Sequence, residues 1–466
     1  MADLHADLHV DALVIGSGQG GGPLAGAFAR AGRRTVLIER RYIGGTCINN
    51  GCTPTKTMIA SARVGYLAKR ANDFGVRCGA VSVDFAAVLA RKRAIVTDFR
   101  QGSERRLATA GVEVIFGDAR FIGERRIEVD LTEGSTRTLS ADTIIINVGA
   151  RPSRPQIPGI EQVPALDSTS IMELERLPTH LVVIGGGYVG VEFAQMFRRF
   201  GSRVTIVNRD AQLLTHEDQD VADAVATILR EDGIDILLDA QPTLVVPMPN
   251  GVRTDVMARG EARRIEASHV LVATGRVPNT DTLHADAAGV DVDGRGYIQV
   301  DERLATTASG IYAIGDVKGG PAFTHISYDD FRVLRTNLLQ GGAATIAGRL
   351  VPYTVFIDPQ LGGIGLTERE ARAQRRNIAV AMMPMSHVAR ALEVAEPRGV
   401  MKVVVDRDTN RVLGCAVLGL EGGEIMSMLQ LAMMGDLPYT ALRDGVFAHP
   451  TLAESLNNLF AGLTPV

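Results

Sequence analysis

Two Rossmann-like units of an α/β fold, followed by a C-terminal α+β part, are what the sequence predicts. Three observations carry this. A β-rich run, a glycine-rich turn and an Ala-rich amphipathic stretch follow one another near the N-terminus and lead into a second β-rich run. The same order returns after residue 180. From about Val351 the pattern changes to strand-like segments and then a helical stretch from about Gly423 to Met434. The 466 residues leave room for about three domains of roughly 150 residues each.

Composition excludes several classes. With 46% hydrophobic and 22% charged residues the chain is globular rather than disordered. Lys plus Arg number 49 against 53 Asp plus Glu, so the formal charge of -4 gives no global reason to bind nucleic acid or anionic lipid. The N-terminal MADLHADLHVDALVIG has neither a basic segment nor an uninterrupted apolar one. No later stretch approaches the roughly 18 apolar residues of a membrane helix. A cytoplasmic protein without nucleic-acid or membrane partners is expected. Four cysteines, Cys47, Cys52, Cys78 and Cys415, are too few for a disulfide scaffold, and Cys78 and Cys415, without neighbours, read as inert.

In the first unit VDALVI, residues 10 to 15, precedes GSGQGG, and TVLIE ends at Glu39. Gly16, Gly18 and Gly21 fit G-x-G-x-x-G, in which glycines permit a tight turn, approach of the backbone to a pyrophosphate, and close helix–strand packing. Glu39, 23 residues beyond Gly16, is placed to accept from a ribose diol. In the second unit HLVVI precedes Gly185, Gly187 and Gly190 in GGGYVGVE, and the strand SRVTIV follows. The same count of 23 lands on Asn208, with Arg209 next. A carboxylate there would repel a 2′-phosphate, whereas this pair removes the repulsion and offers a charge-assisted donor. NADPH is therefore favoured; the alternative is NADH with Arg209 a solvated surface residue.

Three further loops follow strands. TIIINVGARPSRPQIPG, with Gly149, reads as a crossover between domains. VLVATGRVPNT contains Gly275 and Arg276, and IYAIGDV runs into Gly315 and Asp316 at a strand's C-terminal end, where open α/β sheets bind ligands.

Cys47 and Cys52 lie in GGTCINNGCTPTKTMIASARV, directly after Gly45 and Thr46. Four intervening residues do not fit a thioredoxin motif or zinc knuckle, and no second Cys/His pair completes a metal site, so no resident metal is expected. A redox pair near the N-terminus of the helix that follows is the better reading, since that end stabilises thiolate.

These motifs, with ATGRVPN, IYAIGD and HPTLAE, resemble in order and separation those of the flavin-dependent pyridine nucleotide-disulfide oxidoreductases, which include glutathione reductase, dihydrolipoamide dehydrogenase and mercuric reductase. The resemblance spans nearly the whole chain. It implies an FAD-binding domain with the redox cysteines over 1–155, an NAD(P)-binding domain over 156–277, a central domain completing the FAD site over 278–350, and a dimerisation domain over 351–466. It further implies that Cys52 faces the flavin and Cys47 exchanges with substrate. Lys56 and Glu192 would pair beside the flavin, Tyr188 would cover the nicotinamide pocket, and Asp316 would hold the ribityl chain. His325 would open a helix directed at the flavin. Gly45, Thr46, Gly149, Gly275, Arg276 and Gly315 belong to the expected cofactor loops. His449 and Glu454 would reach the partner's cysteines as base and orienting carboxylate, giving a homodimer with composite active sites.

Within this family CINNGCTPTKT, SHVARALE and LPYTALRDGVFAHPTLAESLNNLF are most similar to mercuric-reductase-like proteins and reactive-chlorine-resistance flavin reductases. That implies reduction of a soft metal ion, disulfide or oxidant by FAD and NADPH. The alternative, dihydrolipoamide dehydrogenase, is disfavoured by Phe447, where those enzymes usually carry a histidine, and by Asn208, where they carry an acid. A true mercuric reductase ends in a second cysteine pair, and NNLFAGLTPV has none. Met382, Met383, Met385, Met426, Met428, Met433 and Met434 read as core and interface filling rather than a copper surface. His5 and His9, four apart, read as a frayed tail rather than a helical ligand pair.

Overall fold

The structure, a computed structural model, describes residues 8–466. Chain contacts divide it into two compact units. One comprises residues 8–57, Ala90–Ser153 and Arg276–Arg349, and the other Met58–Leu89, Arg154–Gly275 and Leu350–Val466.

In the first unit Leu8–Ile15 lies between Thr35–Glu39 and Thr136–Ile146, parallel to both. Glu113–Gly123 extends the sheet beyond Thr35–Glu39, and Ile311–Ala313 extends it beyond Thr136–Ile146, again parallel. Arg126–Leu131 is antiparallel to its neighbours. The β-rich runs are apolar throughout because both faces are covered. Leu13, Ile15, Val36 and Ile38 pack into one core cluster, whereas Ala12, Val14 and Leu37 point the other way, onto Leu24, Ala25 and Phe28 of the helix Gly21–Arg30.

The second unit repeats this arrangement. His269–Val272, His180–Ile184, Arg203–Val207 and Asp235–Leu237 form a parallel sheet in that order. Leu181, Val183, Val204 and Ile206 meet Val191, Phe193 and Phe197 of the helix Tyr188–Phe200. The opposite face, with Val182, Ile184 and Val270, meets Val245, Val252 and Val256 of a three-stranded antiparallel sheet. A six-stranded antiparallel sheet carries the C-terminal part, and the helix Gly422–Met434 packs on it through Met426 and Leu429. Among the described residues no helix is long and apolar enough to cross a membrane.

His9 departs from the expected tail. It lies in the strand Leu8–Ile15, opposite Ser140, and its ring bonds Ser140 Oγ at 3.1 Å. Strand pairing at Leu8 and His9 overrides the helical reading there; His5 lies outside the described residues. The methionines divide: Met383, Met385 and Met426 are buried in the C-terminal core, with Met428 and Met433 packed against it, while Met382 and Met434 are exposed. Cys415 is buried in the same core, where burial pushes its thiol up to about 12, and Cys78 is exposed.

Candidate active site

At the end of Leu8–Ile15 the chain turns at Gly16, whose φ is +98° and where a Cβ would lie 2.4 Å from the Asn147 carbonyl oxygen. Gly21 opens the following helix, and a Cβ on it would lie 2.3 Å from the Gly16 oxygen. A Cβ on Gly45 would lie 2.6 Å from Gly18 Cα. Two glycine turns thus approach backbone to backbone at a helix N-terminus, a cradle suited to phosphate oxygens. Glu39 organises it: Oε2 accepts from Ser17 N at 3.0 Å and Ser17 Oγ at 2.5 Å, while Ser17 Oγ accepts from Gly44 N at 2.9 Å. A carboxylate has about four acceptor positions, so capacity for a ribose diol remains.

The same unit carries Gly315 and Asp316 in the turn Gly315–Lys318. Burial raises the Asp316 acid, opposed by Arg276, whose Nε stands 3.9 Å away. That Nε is buried without a hydrogen-bond partner. A partly buried acid and a buried guanidinium nitrogen are both costly unless a polar ligand satisfies them, and the hydroxylated chain of a flavin is such a ligand. The residues present therefore fit FAD. Asp330, fully buried, accepts from Gly315 N at 2.8 Å and Arg349 at 2.7 Å, with Lys318 at 3.4 Å, and so fixes the turn. Gly149 has φ +67° and accepts from Asn279 N at 3.0 Å.

The redox segment follows Gly45 and Thr46, which begin the short helix Gly45–Asn49 that holds Cys47. Cys52 begins the helix Cys52–Lys69, and its sulfur is 3.4 Å from Thr324 Oγ1. The Cys47 thiol is pushed well up, first by its hydrogen bond with Cys52 and then by burial; Thr324 and Lys56 act in the opposite direction. Two sulfurs in hydrogen-bond contact cannot readily both ionise, so the pair carries one charge more easily than two; Cys47 is partly buried and Cys52 exposed. Thr324, unmarked in the sequence reading, opens the helix Thr324–Leu339, and its neighbour His325 stacks on Phe323 at 5.3 Å.

In the second unit Gly185, at φ +110°, would place a Cβ 2.5 Å from the Ala273 oxygen, and a Cβ on Gly190 would lie 2.0 Å from the Gly185 oxygen. Gly187 precedes the helix Tyr188–Phe200, and Gly275 has φ +122°. Asn208 does what Glu39 does in the first unit: its Oδ1 accepts from Gly186 N at 2.9 Å. Its Nδ2 donates to Asp210 O and Gln212 O at 3.0 and 2.8 Å, so this amide braces the loop. Arg209 is 78% exposed beside Asp210 at 3.5 Å. Glu192 is buried and accepts from Phe356 N at 2.8 Å; Lys56 belongs to the first unit, one turn into the helix that starts at Cys52. Tyr188 stacks on Tyr353 at 5.5 Å, and both hydroxyls donate to Glu217. His449 Nδ1 meets Glu454 Oε2 at 2.8 Å, with the imidazole 69% exposed.

Comparison with known proteins agrees with this geometry. The family model described as pyridine nucleotide-disulphide oxidoreductase matches residues 10–330, and that of the family's dimerisation domain matches residues 351–460. The chain belongs to the pyridine nucleotide-disulphide oxidoreductase family. It is 40% identical over 455 residues to the probable pyridine nucleotide-disulfide oxidoreductase RclA of Escherichia coli (strain K12), covering 97% of this chain and 98% of the relative. It is 34% identical over 447 residues to a mercuric reductase of Bacillus cereus, covering 96% of this chain and 70% of that enzyme. The solved Cu(II) complex of the HOCl-induced flavoprotein disulfide reductase RclA from Escherichia coli superposes with a TM-score of 0.89 at 40% identity, covering 97% of this chain and 99% of that one. The protein is thus a flavoprotein disulfide oxidoreductase that uses FAD and a pyridine nucleotide, and its dimerisation domain makes it a homodimer. Leu431, Met434, Leu437 and Val446 of this C-terminal part are exposed apolar residues.

Proposed function

We propose that this chain is an NADPH-preferring reductase that passes electrons to the Cys47/Cys52 pair and on to a soft metal ion, disulfide or oxidant. The observation that carries the reading is the hydrogen-bonded Cys47–Cys52 pair at the start of the helix Cys52–Lys69, with Thr324 Oγ1 against the inner sulfur. Bound FAD supplies two-electron transfer between nicotinamide and a disulfide. The four-part division at 155, 277 and 350 belongs to this reading. Gly16, Gly18, Gly21, Glu39, Arg276 and Asp316 hold the flavin nucleotide, and Gly185, Gly187, Gly190 and Arg209 hold the nicotinamide nucleotide under the cover of Tyr188. Lys56 and Glu192 pair beside the flavin. Cys52 carries the thiolate, Cys47 holds the proton, and the partner subunit's His449, oriented by the partner subunit's Glu454, removes it when substrate is engaged. Two sulfurs make a soft ligand set, which favours Cu(II) or Hg(II) over hard cations as substrate. Similarity to the Cu(II) complex of RclA supports the same class.

Steady-state turnover of the purified holoenzyme with NADPH or NADH against Cu(II), Hg(II), glutathione disulfide and lipoamide tests this. NADPH-driven reduction of the metal ions, lost in Cys47→Ser, is expected. Preferential turnover of lipoamide with NADH would instead assign the chain to the dihydrolipoamide dehydrogenases.

A further inference from the structure

Glu217 has no place in the chemistry above, yet it is among the most deeply buried carboxylates of the second unit, 1% exposed. One of its oxygens, Oε1, accepts two phenolic hydroxyls, from Tyr353 at 2.7 Å and from Tyr188 at 3.3 Å. The two rings lie nearly parallel, 16° apart, with centroids at 5.5 Å. Burial and the neighbouring Asp218 and Glu370 raise this acid to about 7, while the two hydroxyls pull it back. Asp218 is itself held low by Lys402 and by the amides of Glu368 and Arg369. The buried Cys415 also faces Glu217.

The loop that carries Glu217 is tied to the nucleotide turn. Leu214 N donates to Gly186 O at 3.0 Å, Glu217 N donates to Leu214 O at 2.8 Å, and Gln212 Nε2 donates to Glu217 O at 3.1 Å. Asn208 reaches the same loop through Gln212. The second glycine turn and the two-tyrosine cluster therefore form one hydrogen-bonded assembly.

We propose that Glu217 and Tyr353 are positioning residues that latch the Tyr188 ring closed over the nicotinamide pocket, so that a nucleotide enters only by displacing Tyr188 from Glu217. The proposal rests on the reading of Tyr188 as the cover of that pocket. The two hydroxyl bonds are unequal, and the inequality makes a latch rather than a lock. The longer one belongs to the residue that moves, and the shorter keeps the buried carboxylate satisfied after the ring leaves. Deleting the Tyr188 hydroxyl removes the catch while keeping the ring. Deleting the Tyr353 hydroxyl has the opposite effect, because opening would then strip a buried acid of both phenolic donors.

Titration of oxidised holoenzyme with NADP+, read from the perturbation of flavin absorbance, measures the latch without turnover. Tyr188→Phe is expected to bind about two- to tenfold more tightly than the parent, and Tyr353→Phe about two- to tenfold more weakly, the range that one net hydrogen bond covers. Glu217→Gln, whose neutral amide accepts more weakly, should shift towards tighter binding. Opposite signs from the two hydroxyl deletions are the signature, since a merely structural role would move both the same way. Shifts of the same sign, or both within twofold of the parent, overturn the latch. Tyr188→Ala separates the layers: if it also leaves binding unchanged, the cover reading fails, whereas a tenfold change there beside silent hydroxyl deletions defeats the latch alone. Should Tyr353→Phe lose its flavin, Glu217→Gln decides, and weaker or unchanged binding in that variant overturns the proposal.

Discussion

Two sulfur atoms in hydrogen-bond contact share one charge more easily than two, and the raised Cys47 thiol agrees with the proposed division in which Cys52 carries the charge. The Cys52 sulfur meets Thr324 Oγ1, a hydroxyl able to steady a thiolate. Reduction of the wild-type protein by two electrons should produce a long-wavelength absorbance band from thiolate against oxidised flavin. Cys52→Ser should abolish the band, and Cys47→Ser should show it without any reductant. Identical spectra from the two variants would reverse the assigned roles. Arg209 offers a second test at this scale. A charge-assisted contact to a 2′-phosphate is worth about 1.5–3 kcal/mol, or roughly ten- to a hundredfold. At 78% exposure, with Asp210 competing, the lower end is expected. Arg209→Glu should raise the Michaelis constant for NADPH about tenfold and that for NADH far less; equal effects would return Arg209 to the solvated surface. Asn208 braces the loop beside Arg209. Its position was legible from the 23-residue count, but its work was not, because only the fold shows its amide consumed by Gly186, Asp210 and Gln212.

At the scale of elements, the strand–turn–helix units were legible because their signals are local: an apolar run buried on both faces, then glycines where a Cβ would strike backbone. The remaining contacts join residues far apart in sequence. Asp330 sits within a helix with nothing around it to announce a role, yet it joins Gly315, Lys318 and Arg349 behind the turn that carries Asp316. Glu217 and Tyr353 are 136 positions apart and meet at 2.7 Å. The Asp330 cluster yields a prediction. Removing the Asp330 carboxylate takes from the nearly buried Lys318 its ion-pair partner and leaves Arg349 only the more exposed Asp329, a loss of up to about 3–5 kcal/mol in comparable buried pairs. Asp330→Asn keeps the shape and removes the charge, so it should lower the thermal midpoint and shed flavin on gel filtration. The far more exposed Arg151–Asp281 pair of the same unit should tolerate Asp281→Asn with little change. Equal stability and flavin content in the two variants would remove the Asp330 cluster from the flavin site.

For the whole molecule the decisive residue is His449, which one chain leaves exposed while orienting it firmly through Glu454. Orientation without burial suits a base completed by something outside its own chain. The dimerisation domain over 351–460 supplies the means, and Cys47, whose thiol is pushed up by Cys52 and by burial, supplies the need. The motif HPTLAE was legible in the sequence; that its imidazole is solvent-facing was not, since exposure is a property of the folded C-terminal part. If each active site joins Cys47 and Cys52 of one subunit to the partner subunit's His449, then Cys47→Ser and His449→Ala homodimers should each be inactive for different reasons. A heterodimer of the two variants holds one site with both defects and one with neither. Co-expression with distinct affinity tags, followed by isolation of the doubly tagged dimer and mass measurement, should therefore recover about half of the wild-type turnover per dimer. The long-wavelength band should persist in His449→Ala, because the flavin-binding residues and both cysteines share a chain. A verified heterodimer as inactive as its parents would place the base elsewhere and leave His449 and Glu454 as a surface ion pair of little energetic weight.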